Sequence, residues 1–194
     1  GTLAYLPNSI DTGAGGKISI VNRSGAVSTV VDNNVVKISP TVSAQLRFSF
    51  DGQVMVAGIA PVPGRTDLWV YDLGRNSGTR LTAQGSISNY PVPSPDGKQV
   101  AFNSTRDPNG IYLQSIDAPG AAKLLLRRGL GSQLPGAWTP DGRTLVFVEN
   151  NPLTGGDLWN VLTSAEVRRT RAAELFGWIL SGRLRVRVSR SFPL

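Results

Sequence analysis

Tyr90-Pro91-Val92-Pro93-Ser94-Pro95-Asp96-Gly97-Lys98-Gln99-Val100-Ala101-Phe102-Asn103-Ser104 is the stretch that decides the fold. It reads as a strand, a tight turn and a second strand. Pro95 presets φ for the first corner of a type I turn, and Asp96 suits the second. Gly97 can take the left-handed conformation that closes a three-residue hairpin. The unit recurs on both sides. Upstream stand Phe50-Asp51-Gly52 and the run Val54-Met55-Val56-Ala57; downstream stand Pro140-Asp141-Gly142 and Leu145-Val146-Phe147-Val148. The aspartates Asp51, Asp96 and Asp141 lie 45 residues apart. A fixed period of roughly 40–45 residues made of short strands marks the blades of a β-propeller.

The neighbouring segments complete the repeat. Residues 44–84 contain strands at 46–50 and 54–59, a loop at 61–66, a third strand at 67–73, a turn at 75–78 and a fourth strand at 79–82. Residues 88–126 repeat this order, with Ile111-Tyr112-Leu113 standing where Leu68-Trp69-Val70 stood. Residues 133–162 begin another copy, in which Asp157-Leu158-Trp159 echoes Asp67-Leu68-Trp69. Residues 1–31 read as a blade without its first strand. Gly, Pro, Asn and Asp bound each short apolar run, as strand ends require. Several second strands are almost continuously apolar, which fits sheets covered on both faces. The expected fold is all-β. Residues 1–162 form a partial or small propeller of four-stranded antiparallel blades, about four of them and incomplete.

Residues 163–194 break the pattern and form a divergent, Arg-rich tail. Thr163-Ser164-Ala165-Glu166 suits a helix capping box, and a helix over 164–180 would end near Gly182. Arg183-Leu184-Arg185-Val186-Arg187-Val188 then alternates like a strand with one arginine face. The net charge of +7 concentrates here: residues 164–194 hold seven arginines against Glu166 and Glu174. The arginine face is small and lacks interleaved aromatics. A solvated edge strand explains it better than a nucleic-acid surface does.

Composition excludes several chemistries. The 194 residues include no cysteine and no histidine. Disulfides, thiolate sites, Ser-His-Asp machinery and His-ligated metals are therefore out of reach. No run of about 18 apolar residues suggests a membrane span. The opening Gly1-Thr2-Leu3-Ala4-Tyr5 has no basic region and no signal-peptide core. Gly13-Ala14-Gly15-Gly16-Lys17 is not a phosphate loop, because Asp11 replaces the first required glycine and Ile18 the Ser/Thr. No Gly-x-Ser-x-Gly elbow occurs.

These repeats resemble the TolB-type propeller family. The matching segments are Pro93-Ser94-Pro95-Asp96-Gly97 with Val100-Ala101-Phe102, and Trp138-Thr139-Pro140-Asp141-Gly142 with Leu145-Val146-Phe147. Asp67-Leu68-Trp69-Val70 and Arg80-Leu81-Thr82 complete the set. The opening residues also look like the propeller regions that follow bacterial serine/threonine kinase domains. The resemblance implies the propeller fold over 1–162, with an extracytoplasmic or periplasmic setting. It also implies six or more blades in a whole propeller. Its functions range over binding propellers, sensor domains and the propeller domains of peptidases.

Two functional readings follow. In the first, the propeller is a binding or sensor module that takes a protein or small-molecule ligand on blade loops, with a homodimer through its open blade edges. In the second, it is a divalent-metal-dependent lactonase or esterase. Oxygen ligands for Ca²⁺ would then come from Asn103, Asp107, Glu149 and Asn150, with Asp32-Asn33-Asn34 as further donors. Asn103 and Glu149 fall near the ends of equivalent second strands. Polar loop residues need no metal to explain them, so the binding module is the preferred reading. Asp51-Gly52, Asp96-Gly97 and Asp141-Gly142 are read as structural turns, since an aspartate there bonds its own backbone. Trp69, Tyr112, Trp138 and Trp159 are read as blade packing rather than as a stacking platform.

Overall fold

The apolar runs fold as the repeat predicts, into successive antiparallel sheets. The structure, a computed structural model, describes residues 3–5, 18–31, 46–62, 64–83, 85–118, 121–128, 131–163, 173–174, 177–178 and 180–183. Blade 1 is β1 (Leu3–Tyr5), β2 (Ile18–Val21) and β3 (Val27–Val31). Blade 2 is β4 (Leu46–Phe48), β5 (Val54–Val62), β6 (Arg65–Asp72) and β7 (Ser77–Arg80). Blade 3 is β8 (Ser88–Pro93), β9 (Gln99–Ser104), β10 (Gly110–Ser115) and β11 (Lys123–Leu126). Blade 4 is β12 (Ser132–Trp138), β13 (Thr144–Asn151) and β14 (Gly155–Leu162). In every sheet the strands lie side by side in chain order.

The second strand of each blade explains why its run is continuous. Side chains alternate across a strand, so adjacent apolar residues face opposite ways. On β5, Val56 packs with Val100, Phe102 and Tyr112 of blade 3, joined by Leu68, Val70 and Leu81. Met55, Ala57 and Ile59 belong to the opposite face, with Tyr71 and Trp69. On β9, Val100 and Phe102 face blade 2, whereas Ala101 meets Leu145 and Phe147 of blade 4. Side-chain hydrogen bonds cross the same seams. Gln114 Nε2 donates to the Leu81 carbonyl at 2.8 Å, and Trp138 Nε1 to the Val92 carbonyl at 2.9 Å.

The structure corrects two sequence boundaries. Residues 61–66 are not a loop: β5 runs to Val62 and β6 starts at Arg65, with a register shift between Ile59 and Val62. The fourth strand of blade 2 begins at Ser77 rather than 79, because the turn is tighter than the glycine pattern suggests. Gly78 is needed there, since a Cβ would sit 2.6 Å from the Tyr71 ring. Burial pushes that tyrosine's phenol up to about 12.

Blade 4 departs from its predecessors on one face. Leu158 occupies the repeat position of Leu68, yet it is 74% exposed where Leu68 is fully buried. The chain divides into two compact units, Gly1–Val161 and Leu162–Leu194. In the second, residues 173–174, 177–178 and 180 are helical. Ser181 N donates to the Gly177 carbonyl at 3.0 Å, and Gly182 turns with φ +70°, where the sequence places the helix end. The expected strand at 184–188, the glycine-rich segment 13–17 and Asp32-Asn33-Asn34 lie outside the described residues.

Phe102 joins two blades and is fully buried. Phe102→Ala is expected to lower unfolding free energy by about 3–5 kcal/mol. Phe50, 89% exposed at a turn tip, should tolerate Phe50→Ser within about 0.5 kcal/mol. Urea denaturation followed by tryptophan fluorescence checks both; equal losses would contradict the packing described.

Candidate functional site

An antiparallel meander sends its connections to two opposite ends. The β4–β5, β8–β9 and β12–β13 turns share one end. The β5–β6, β9–β10 and β13–β14 connections share the other, together with those leading into β8 and β12. The two ends differ in chemistry.

At the first end, which also carries the β6–β7 and β10–β11 connections, the three aspartate turns repeat one device. Ser94 Oγ donates to Asp96 Oδ1 at 2.6 Å and accepts the Gln99 N–H at 3.0 Å. Asp96 Oδ1 also accepts the Lys98 N–H at 3.1 Å. Gly97, at φ +68°, donates its N–H to the Ser94 carbonyl at 2.9 Å. Ser49-Phe50-Asp51-Gly52 and Thr139-Pro140-Asp141-Gly142 reproduce these bonds, with hydroxyl to carboxylate distances of 2.6 and 2.5 Å. The hydroxyl hydrogen bond, then the backbone N–H, holds the Asp51 and Asp96 carboxyls below their ordinary value. Sequence reasoning identified the aspartates and missed the hydroxyls, although Ser49, Ser94 and Thr139 keep the same period.

The second end carries groups that do not repeat. Asn103 follows Ala101 on the side of β9 that faces blade 4. Glu149 follows Phe147 on the side of β13 that faces blade 3. The one-residue offset between their repeat positions therefore turns them toward one seam. Asn103 Nδ2 donates to the Gln133 carbonyl at 2.9 Å. Gln133 Nε2 donates to the Arg128 and Gly131 carbonyls, each at 2.6 Å, and lies 3.4 Å from Glu149 Oε1. Arg128 Nε sits 3.5 Å from Glu149 Oε2, and its guanidinium lies 3.8 Å from the Trp159 ring centroid. Gln133 Oε1 is buried without a partner.

The Glu149 carboxylate is met by Arg128, and the Asn103 amide is anchored through Nδ2. Asp107 stays on the exposed connection after β9, and Asn150, also exposed, reaches Ser132 Oγ at 3.4 Å. Among the described residues, no three carboxylates come together as metal ligands. The structure thus unites Asn103 and Glu149 through Gln133, and leaves Asp107 and Asn150 apart from them.

Arg106 was not singled out by the sequence. Its guanidinium lies 4.5 Å from the Tyr112 ring centroid and 5.6 Å from that of Phe102. Its Nε donates to Ser104 Oγ at 3.0 Å. Burial pushes this guanidinium below its ordinary value. Thr105 anchors the segment: its N–H donates to the Ile87 carbonyl at 3.0 Å and its Oγ1 accepts the Ile87 N–H at 3.1 Å.

No family model matches the chain. Over 109 residues it is 33% identical to Tricorn protease homolog 1 of Streptomyces coelicolor, covering 56% of this chain and 10% of that protein. TolB from Acinetobacter baumannii superposes with a TM-score of 0.63 at 20% identity, over 84% of this chain and 39% of TolB. A chain in the crystal structure of a nidogen/laminin complex gives 0.61 at 12% identity, over 84% of this chain and 58% of that one. The fold is that of a TolB-like β-propeller. The chain spans a tenth of the curated relative and less than two thirds of either structure. Among the described residues of this propeller, no helix is long and apolar enough to cross a membrane.

The turn device makes an acid prediction. A carboxyl whose pKa is depressed on folding stabilises the fold above its unfolded value, and that stability is lost as pH falls through the folded value. Stability of the propeller should therefore decline as pH drops below 3.8. Ser94→Ala should raise the Asp96 pKa toward 3.8 and cost about 1 kcal/mol at neutral pH. Carboxyl NMR titration and urea denaturation read the two effects. An unchanged Asp96 pKa would remove the hydroxyl from the explanation.

Proposed function

We propose that this propeller is a binding module that takes a protein or small-molecule partner on the end opposite the aspartate turns. Residues 105–109 and 151–154 are its recognition loops. The observation that carries this reading is the contrast between the two ends. One end repeats a device in which Asp51, Asp96 and Asp141 are each satisfied by their own turn. The other presents Arg106, exposed Asp107 and Leu153, which is 92% exposed, on connections that differ from blade to blade. Varied loops on a rigid repeated scaffold are where recognition residues concentrate. The occurrence of a similar fold in a nidogen/laminin complex supports a protein as the partner.

The test is selection of peptide or protein ligands from a display library on the purified chain, followed by mapping. Asp107→Asn and Leu153→Ser should each weaken selected ligands at least about tenfold, and Phe50→Ser at the other end should leave them unchanged. Ligands that map to Phe50 would overturn the assignment. So would turnover of a lactone or p-nitrophenyl ester that EDTA stops and Ca²⁺ restores, which is the signature of the hydrolytic alternative.

The outer face of blade 4 is proposed as a second contact surface, through which two copies pair. Leu158 stands there exposed in a position that blade 3 covers in blade 2. Sedimentation should show a concentration-dependent dimer that Leu158→Ser abolishes; a monomer throughout would remove this contact.

A further inference from the structure

We propose that Arg106 is the carboxylate-binding residue of the recognition end, an assignment that rests on the binding-module reading and names the chemistry its ligand must carry. The other half-buried arginines among the described residues are all paired with carboxylates. Withdrawing a guanidinium from water is costly unless an anion or a full set of acceptors replaces the water. Arg65 and Arg80 both pair with Asp67, at 3.0 and 2.7 Å. Arg128 pairs with Glu149. Arg106 is half-buried like these three, yet among the described residues it has no carboxylate partner.

Its hydrogen-bonding inventory is equally incomplete. A guanidinium offers five N–H donors. Ser104 Oγ takes the one on Nε, and the Nη donors have no acceptor among the described residues. Ring contacts to Tyr112 and Phe102 account for the flat face of the group and leave its donor edge unused.

The group is also held in place before any ligand arrives. Ser104 is fully buried. Thr105 is tied to Ile87 by two hydrogen bonds, and Thr66 and Ile87 form a parallel bridge between blades 2 and 3. The Tyr112 hydroxyl donates to the Pro108 carbonyl across the same connection. A planar fork fixed in this way loses little freedom on binding, and its geometry matches the two oxygens of a carboxylate. Phosphate shares that geometry. Asp107, next in the chain and exposed, disfavours a dianion more than a monoanion. The occupant is therefore a carboxylate, from an acidic side chain or a chain terminus of the partner.

The experiment is an NMR titration of the full ¹⁵N-labelled chain with sodium acetate, and separately with inorganic phosphate, at constant ionic strength. The Arg106 Nε–Hε signal and the Ser104 and Thr105 amides are followed. Acetate should shift them saturably, at least about threefold more tightly than phosphate. Arg106→Lys should weaken the effect about tenfold, because it keeps the charge and loses the fork. Arg106→Met should abolish it, with the Gly52, Gly97 and Gly142 amides reporting that the fold persists. If Arg106→Met does not fold, the lysine variant carries the test. No saturable shift, a shift that survives in either variant unchanged, or a preference for phosphate would each overturn the assignment. Selected ligands that still mapped to residues 105–109 and 151–154 would then leave the binding module standing without this anchor.

Discussion

The described blades depend on covering one another's sheet faces. Val54, Val56, Leu68 and Val70 on one side of blade 2 need Val100, Phe102 and Tyr112 of blade 3. Ala101 and Ile111 on the far side of blade 3 need Leu145 and Phe147 of blade 4. A lone blade could satisfy neither set. The stabilising burial therefore lies between repeats rather than within them, as in repeat proteins generally. The same constraint shapes the hydrogen bonding, since Gln114 and Trp138 each donate across a seam to a carbonyl of the preceding blade.

Where the faces are spent on packing, the ends of the strands remain for other work. At the three aspartate turns, the polar groups are consumed locally. A hydroxyl, a carboxylate and a few backbone N–H groups close on one another within six residues, three times over. Such a turn stabilises a hairpin and has little left to offer a ligand. At the opposite end the polar groups are drawn from different strands and do not repeat. Some are neutralised, as Glu149 is by Arg128. Among the described residues Arg106 has no such partner, and the proposed anchor follows from that difference.

The fold was legible because its information is local and periodic. Asp51, Asp96 and Asp141 keep one spacing, and each closes its turn with a glycine in the left-handed region. The unbroken apolar run Val54-Met55-Val56-Ala57 announced a strand buried on both faces. Strand ends were read less well, and residues 61–66 became a tight hairpin because pairing between β5 and β6 continues past the point where the apolar pattern stops.

The end proposed for recognition was less legible, for a geometric reason. Sequence placed Asn103 and Glu149 one residue out of repeat register, and only the packed blades show that this offset makes them face each other. The metal-ligand alternative named Glu149, and the packed blades set Arg128, contributed by the connection before β12, against that carboxylate. Nothing local marks Arg106 either, because what distinguishes it is the lack of a carboxylate among its described neighbours, which is visible only once those neighbours are in place. By itself the sequence determined the repeat, the turns and the propeller, since these follow from residue-to-residue conformational preference and period. The tertiary structure alone decided which charges are neutralised and which stay open, since that depends on side chains brought together from separate blades.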